Sequence, residues 1–229
     1  MNLSGRSSAP ELMDADDLPD DTYVAVMADL ARVNALTMAA RPTIAFLDRL
    51  ARERTFLRIL DVGFGDGDML RRIEAWSRRR RLAVELVGID LNPRSEKAAL
   101  AHTPPGSAIR WLTGDYASLA DEPWDAVISS LVAHHMSEPE LIAFLRFMEA
   151  NAAAGWFVND LHRHAISHWG FPLLARVAGW HPIVRHDGAL SIARAFRAPE
   201  WRSTLASAGI ASARVFCAFP FRLCVERLR

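Results

Sequence analysis

The chain has 229 residues, 51% of them hydrophobic, and its 27 basic residues balance 27 acidic ones. That length and apolar content support one α/β domain with a sizeable core. Zero net charge argues against a broad footprint for nucleic acid or an anionic membrane surface, and no apolar run approaches the ~20 residues of a membrane span.

The polar, acidic opening, "MNLSGRSSAPELMDADDLPDD", has no apolar core, so residues 1–21 read as a disordered head and as neither signal nor transit peptide. A cytoplasmic protein is the expectation. Residues 22–54 carry apolar side chains at helical spacing, interrupted near Pro42, which predicts two helices before the first strand. From residue 55 to 229 the chain reads as one α/β domain. Strand "FLRILDV" leads to a helix from about Gly67 to Arg80, then strand "AVELVGID", a helix from Pro93, strands "AIRWL" and "WDAVISSLV", a helix from Glu138 to Asn151, and strand "GWFVND". Such alternation implies parallel pairing with right-handed crossovers, hence an open sheet covered by helices on both faces.

Residues 161–197 break the rhythm. They are rich in histidine, tryptophan and proline, include a helical run with Pro172 inside it, and read as a small lid insertion. Within it, "RHDG" at 185–188 reads as a turn, either closing over a site or simply placing glycine in a left-handed conformation. A helix ending at Gly209 follows, then two strands flanking Phe219 and Pro220, an antiparallel hairpin on the sheet edge. Cys217 and Cys224 lie in that hairpin at no metal or redox spacing and read as reduced packing residues.

The stretch "ILDVGFGDGDML" puts Gly63, Gly65 and Gly67 between a strand and a helix, where the backbone can turn tightly and a ligand can approach the main chain. The nicotinamide fingerprint wants glycine where Asp68 stands, and no Gly-Lys-Ser/Thr follows for a Walker loop. A diphosphate would also meet Asp61, Asp66 and Asp68 with no compensating base in the loop. Asp90 and Leu91 end the second strand, where a carboxylate accepts both hydroxyls of a ribose. Asp115 and Tyr116 follow the third, where a carboxylate accepts from an adenine amine. The pattern accommodates an adenosine without phosphates.

These motifs, with "TGDY" and "WDAVISSLVAHHM" in that order, resemble the class I S-adenosylmethionine-dependent methyltransferases. The resemblance implies a Rossmann-like, seven-stranded, mostly parallel sheet with a C-terminal antiparallel hairpin, and S-adenosyl-L-methionine as cofactor. It implies that the glycine loop backs the methionine part, with Asp61 near its ammonium group, Asp90 on the ribose, Asp115 and Tyr116 at the adenine, and Ser129, Ser130 and Leu131 along the methionine side. "SSLVAHHM", "NDLHRHAISHWG" and "VRHDGALSIARAF" are further similar to small methyltransferases associated with type III polyketide synthases, relatives of the ubiquinone/menaquinone methyltransferases.

Five of the eight histidines fall between 134 and 168. An imidazole titrating near ~6.5 suits deprotonation of a phenol. Alternation along an extended segment puts His162 and His164 on one side, and either one is the expected base, with His135 next. Packing or orienting roles compete for each. A metal held by His162, His164, His168 and Asp160 is weighed and set aside, because the spacing is unlike that of structural metal sites. The expected activity is O-methylation of a small phenolic or polyketide-like molecule, with a homodimer as an open assembly state. C-methylation of a quinone-like ring and a catalytically silent cofactor-binding partner are the alternatives, and a nicotinamide-binding reductase is the third.

Overall fold

The computed structural model describes residues 3–15 and 17–229. Five parallel strands, β1 (Phe56–Val62), β2 (Ala83–Asp90), β3 (Arg110–Thr113), β4 (Trp124–Ser130) and β5 (Ala152–Leu161), are joined by β7 (Arg222–Leu228) and β6 (Arg214–Ala218) in the order β3-β2-β1-β4-β5-β7-β6. β7 runs antiparallel to both of its neighbours. This is the expected seven-stranded Rossmann-like sheet with its C-terminal hairpin. β1 pairs with β2 on one side and β4 on the other. The crossovers therefore leave in opposite directions and open a crevice at the carboxyl ends of β1 and β4, the place where such sheets bind ligands.

Alternation along β1 sends Leu57 and Ile59 to one apolar layer and Leu60 and Val62 to the other. The first layer also holds Phe46 and Leu47 of α2 (Arg41–Leu50) and Leu70 and Ile73 of α3 (Asp68–Arg80). The second holds Phe144 and Leu145 of α5 (Glu138–Asn151) and Trp201 and Leu205 of α8 (Ala198–Ala208). α5 starts where a Ser137–Glu140 capping box satisfies its first turn. α4 (Pro93–His102) starts on the Asn92 side chain, which accepts from the Arg94 amide.

The inserted segment forms a helical pair, α6 (Ala165–Val177) and α7 (Pro182–Arg194), packed on α1 (Asp20–Leu36) through Val26, Val33 and Val184. The turn predicted at 185–188 does not form, since all four residues lie inside α7. Gly188 serves a close approach instead: a Cβ there would stand 2.0 Å from Cε1 of Phe171 on α6.

The described residues of the head, 3–15 and 17–21, also depart from the predicted disorder; residues 1, 2 and 16 lie outside the described residues. The Ser7 amide donates to the Ala193 carbonyl at 3.0 Å, and the Leu12 and Met13 amides donate to the Asp187 carboxylate at 3.0 and 2.9 Å. Arg6 lies over the Phe196 ring and donates to the carbonyls of His134, Met136 and Arg194. Every one of these partners is distant in sequence, which is why local composition predicts disorder where tertiary contacts supply order.

Gly67 begins α3 at φ 79°, and a Cβ there would meet Trp111 at 2.4 Å. Combining left-handed strain with that clash, Gly67→Ala should cost about 2–4 kcal/mol in denaturant unfolding.

Candidate active site

The loop after β1 turns on three left-handed glycines, Gly63, Gly65 and Gly67. A Cβ at Gly63 would stand 2.3 Å from Val132, so the loop can approach the end of β4 only without a side chain there. Asp90 at the tip of β2 holds the loop in place: one carboxylate oxygen accepts from the Gly65 amide and the other from the Asn92 amide, both at 2.9 Å. Burial raises the Asp90 pKa, while these amides, Ser95 and the charge of His135 oppose the shift. A carboxylate offers about four acceptor positions, so this one keeps capacity for a ligand.

Asp61, one strand turn earlier, behaves differently. It is buried, and neither carboxylate oxygen has a hydrogen-bond partner. Burial, and then the nearby charge of Asp90, push its pKa up to about 7. With Ser130, Leu131 and Asn34 of α1 it lines a small recess of about 50 Å³. An orphaned buried carboxylate beside empty space is a place for a cation or a strong donor.

Two larger lobes, of about 260 and 220 Å³, adjoin the loop and share Met13, Met27, Gly63, Gly65, Leu131 and His135. The first is lined further by Tyr23, Ile89, Asp90, Leu91 and Tyr116. The second lies under the helical pair and is lined by Leu30 and Val33 of α1, Phe171, Ile192, Leu161 and Arg222. Leu131 borders both lobes and the recess, and holds a φ of 63° with its amide donating to the Asn159 carbonyl. A bulky residue in that region is a strained position of the kind found at functional sites.

The structure thus brings together Asp61, Gly63, Gly65, Asp90, Leu91, Tyr116, Ser130 and His135 from the expected set. It leaves four others outside the lobes. Gly67 packs on Trp111. Asp115 is exposed and accepts from the Ala117 amide as a cap, while its neighbour Gly114 lines the first lobe. His162 and His164 do lie on one side, ring centroids 5.7 Å apart, but that side faces Phe221. His164 accepts from the Ile166 amide at the start of α6. Burial and the charge of His164 lower the His162 pKa. Alternation brings the two rings together, and packing against Phe221 decides which side they occupy.

His135 takes the central position. Its Nδ1 lies 3.6 Å from Asp14 and its Nε2 3.9 Å from Glu11, both on the head. Its ring centroid lies 4.2 Å from that of His134, the planes tilted by 40°, and His134 is buried with Nδ1 2.7 Å from Asp160. Burial opposes ionisation of Asp160, yet the charge of His134 and its hydrogen bonds prevail and hold the Asp160 pKa down. Burial raises the Glu11 pKa, against the pull of His135, Ser191 and Arg194. One ligating atom each from Glu11, His134 and His135 falls within 4.8 Å of the others. Arg194 Nη1, 3.9 Å from the same Glu11 oxygen, already places a cation there. The metal set weighed from sequence does not assemble, because His168 bonds the Ala189 carbonyl and Asp160 is committed to His134. Glu11, Met13 and Asp14 escaped the sequence reading because they stand in a polar head. Met27, Leu30, Ala31 and Asn34 left one legible signal, helical spacing on one face of α1.

Residues 59–155 match the family model described as a methyltransferase domain. No curated protein is significantly similar in sequence. Among solved structures, the plantazolicin methyltransferase BamL, in complex with a triazolic desmethylPZN analog and SAH, superposes with a TM-score of 0.63 at 14% identity, covering 87% of this chain and 72% of its own. Magnesium protoporphyrin IX methyltransferase (ChlM) from Synechocystis PCC 6803, with bound SAH, gives 0.56 at 18% identity, covering 95% and 90%. The CMeT domain of the citrinin polyketide synthase gives 0.60 at 14%, covering 82% of this chain and 52% of its own. Residues 59–155 are thus similar to a methyltransferase domain, and the chain shares the Rossmann-like fold of these solved structures.

Asp61 has a stability consequence. Its folded pKa, near 7, lies above the ordinary value of 3.8, so the folded state holds the proton more tightly. Its cost is therefore absent well below pH 4, grows as pH rises from about 4 to 7, and persists above. Asp61→Asn should raise the Tm of the ligand-free protein by at least about 3 °C at pH 8 and by much less at pH 4.5, measured by scanning calorimetry.

Proposed function

We propose that this chain is an S-adenosylmethionine-dependent methyltransferase that methylates an oxygen of a small phenolic or polyketide-like molecule. The observation that carries the reading is the pair of lobes meeting at the glycine loop, Leu131 and His135. The donor belongs in the first lobe and the acceptor in the second, so that they meet at the shared residues.

The donor set fits the residues present. Asp61, buried and without a partner, suits an ammonium group. Asp90 has acceptor capacity left for ribose hydroxyls, and Tyr116 and Gly114 offer a face and backbone for the base. Arg71 and Arg72 pair with Asp66 and Asp68, and Asp61 stays unpaired, which agrees with a ligand that lacks phosphate. When bound, the sulfonium supplies an electrophilic methyl group and a neutral thioether leaving group.

The chain's own residues then do two things. The loop and Leu131 fix the donor against the acceptor lobe, so alignment is supplied before reaction. His135 takes the proton from the acceptor hydroxyl as the new carbon–oxygen bond forms and the carbon–sulfur bond breaks. Asp14 and Glu11 face its two ring nitrogens and stabilise the resulting imidazolium. His134, pinned by Asp160, is a positioning residue beneath it. Apolar walls from Leu30, Val33, Phe171 and Ile192 suit a ring-shaped acceptor and exclude water.

Calorimetry with S-adenosylhomocysteine tests the donor assignment, and the absence of binding would overturn the reading. His135→Ala should lower kcat for phenol methylation about 100-fold or more while S-adenosylhomocysteine affinity stays within threefold. His162→Ala and His164→Ala should each leave kcat within threefold; a loss confined to those two would return the base to them. Nuclear magnetic resonance of the product separates methoxyl from ring-carbon methylation.

A further inference from the structure

We infer that Arg222 is a carboxylate-recognition residue of the acceptor lobe, so the acceptor is a phenolic acid rather than a neutral phenol. This rests on the two-lobe reading above and names the acceptor more closely.

Arg222 opens β7 and pairs in register with Leu161, the last residue of β5, at the carboxyl end of the parallel strands. It lines the second lobe and is only 3% exposed. Its Nη1 is buried without a hydrogen-bond partner, and Nη2 makes only long contacts, 3.5 Å to Asn34 Oδ1 and 3.3 Å to Thr37 Oγ1. Among the described residues no carboxylate forms an ion pair with it.

A second buried arginine shows what a purely structural role looks like in this fold. Arg163 donates to the carbonyls of Leu3 and Ala195 and pairs with Glu200. Arg222 has no such set. Asp160 is near enough to oppose the lowering of the Arg222 pKa by burial, but its own oxygens are taken by His134 and the Leu161 amide.

The other charged groups on the lobe are occupied as well. Asp66 pairs with Arg71, and Glu11 accepts from Ser191 beside His134 and Arg194. An arginine keeps its charge even when buried, and an unpaired buried charge is costly unless a ligand completes it. A carboxylate matches the planar guanidinium fork with two parallel hydrogen bonds. Methyl transfer occurs at the residues both lobes share, and Arg222 lines the second lobe alone, so the recognised carboxylate is a group other than the methylated oxygen.

The test is calorimetry on the full chain saturated with S-adenosylhomocysteine, using 2,4-dihydroxybenzoate and resorcinol as a matched pair with and without the carboxylate. The acid should bind at least tenfold more tightly. Arg222→Gln should bring the two within threefold, and so should Asn34→Asp, which offers the guanidinium an internal carboxylate and leaves Arg222 in place. If Arg222→Gln does not fold, Asn34→Asp decides. Equal binding of the pair by the unmodified protein, no detectable binding of the acid, or a preference that survives in the folded variants overturns the inference. Replacing S-adenosylhomocysteine by 5′-methylthioadenosine, which lacks the aminoacyl arm, distinguishes the other source of a carboxylate. If Arg222→Gln weakens the former ligand selectively, the guanidinium holds the donor's carboxylate and the acceptor assignment is overturned. No S-adenosylhomocysteine binding by the unmodified protein would instead fail the methyltransferase reading itself, and this inference with it.

Discussion

The carboxylate of Asp90 is the tie on which the site depends. It accepts from the amide of Gly65 in the loop after β1 and from the amide of Asn92 beyond β2, extending into the loop the backbone pairing that ends with the Gly63 amide on the Ile89 carbonyl. With the loop held there, Gly63 can sit against Val132 and Leu131 can take its left-handed conformation. Both lobes and the recess then share one wall. Loss of the tie would leave a loop of three glycines with little to select one conformation among many.

Buried charge is distributed in two ways. Arg163, Asp160 and His134 are compensated within the fold and fix its geometry. Asp61 and Arg222 are not compensated, and each borders a cavity. Opposite charges lie against different cavities: the anion faces the recess behind the glycine loop, the cation faces the lobe under the helical pair. An unpaired buried charge destabilises the ligand-free protein, and a ligand of opposite charge recovers that cost on binding. The cavities therefore differ in electrostatics as well as in shape.

Three parts of the chain far apart in sequence complete the reactive corner. The head contributes Glu11, Met13 and Asp14, the end of β4 leads to Leu131 and His135, and α7 contributes Ser191 and Ile192. The head is held to α7 by Asp187, which accepts from two successive amides, so the surroundings of His135 depend on a segment outside the sheet. Among the described residues no helix is long and apolar enough to cross a membrane.

The sheet, its crossovers and the glycine-loop side of the crevice were legible in the sequence because they follow from local physics. Apolar periodicity distinguishes strands from helices, and glycines followed by strand-end carboxylates mark the crevice of a parallel sheet. That Asp61, Asp90 and Tyr116 line cavities there could be read in this way. The lining of the second lobe could not. His162 and His164 have the right chemistry and alternation, but the pairing of β5 with β7 and the contact with Phe221 turn them away from the crevice. Composition predicts disorder for the head and a turn for 185–188, whereas tertiary partners order the first and helix packing against Phe171 absorbs the second. The sequence by itself determined the architecture and the crevice where the glycine loop and Asp90 come together, since both depend on spacing within single motifs. Only the tertiary structure decided that His135 borders both lobes and that Arg222 lines the second with its Nη1 unpaired, because those facts depend on which distant segments pack together.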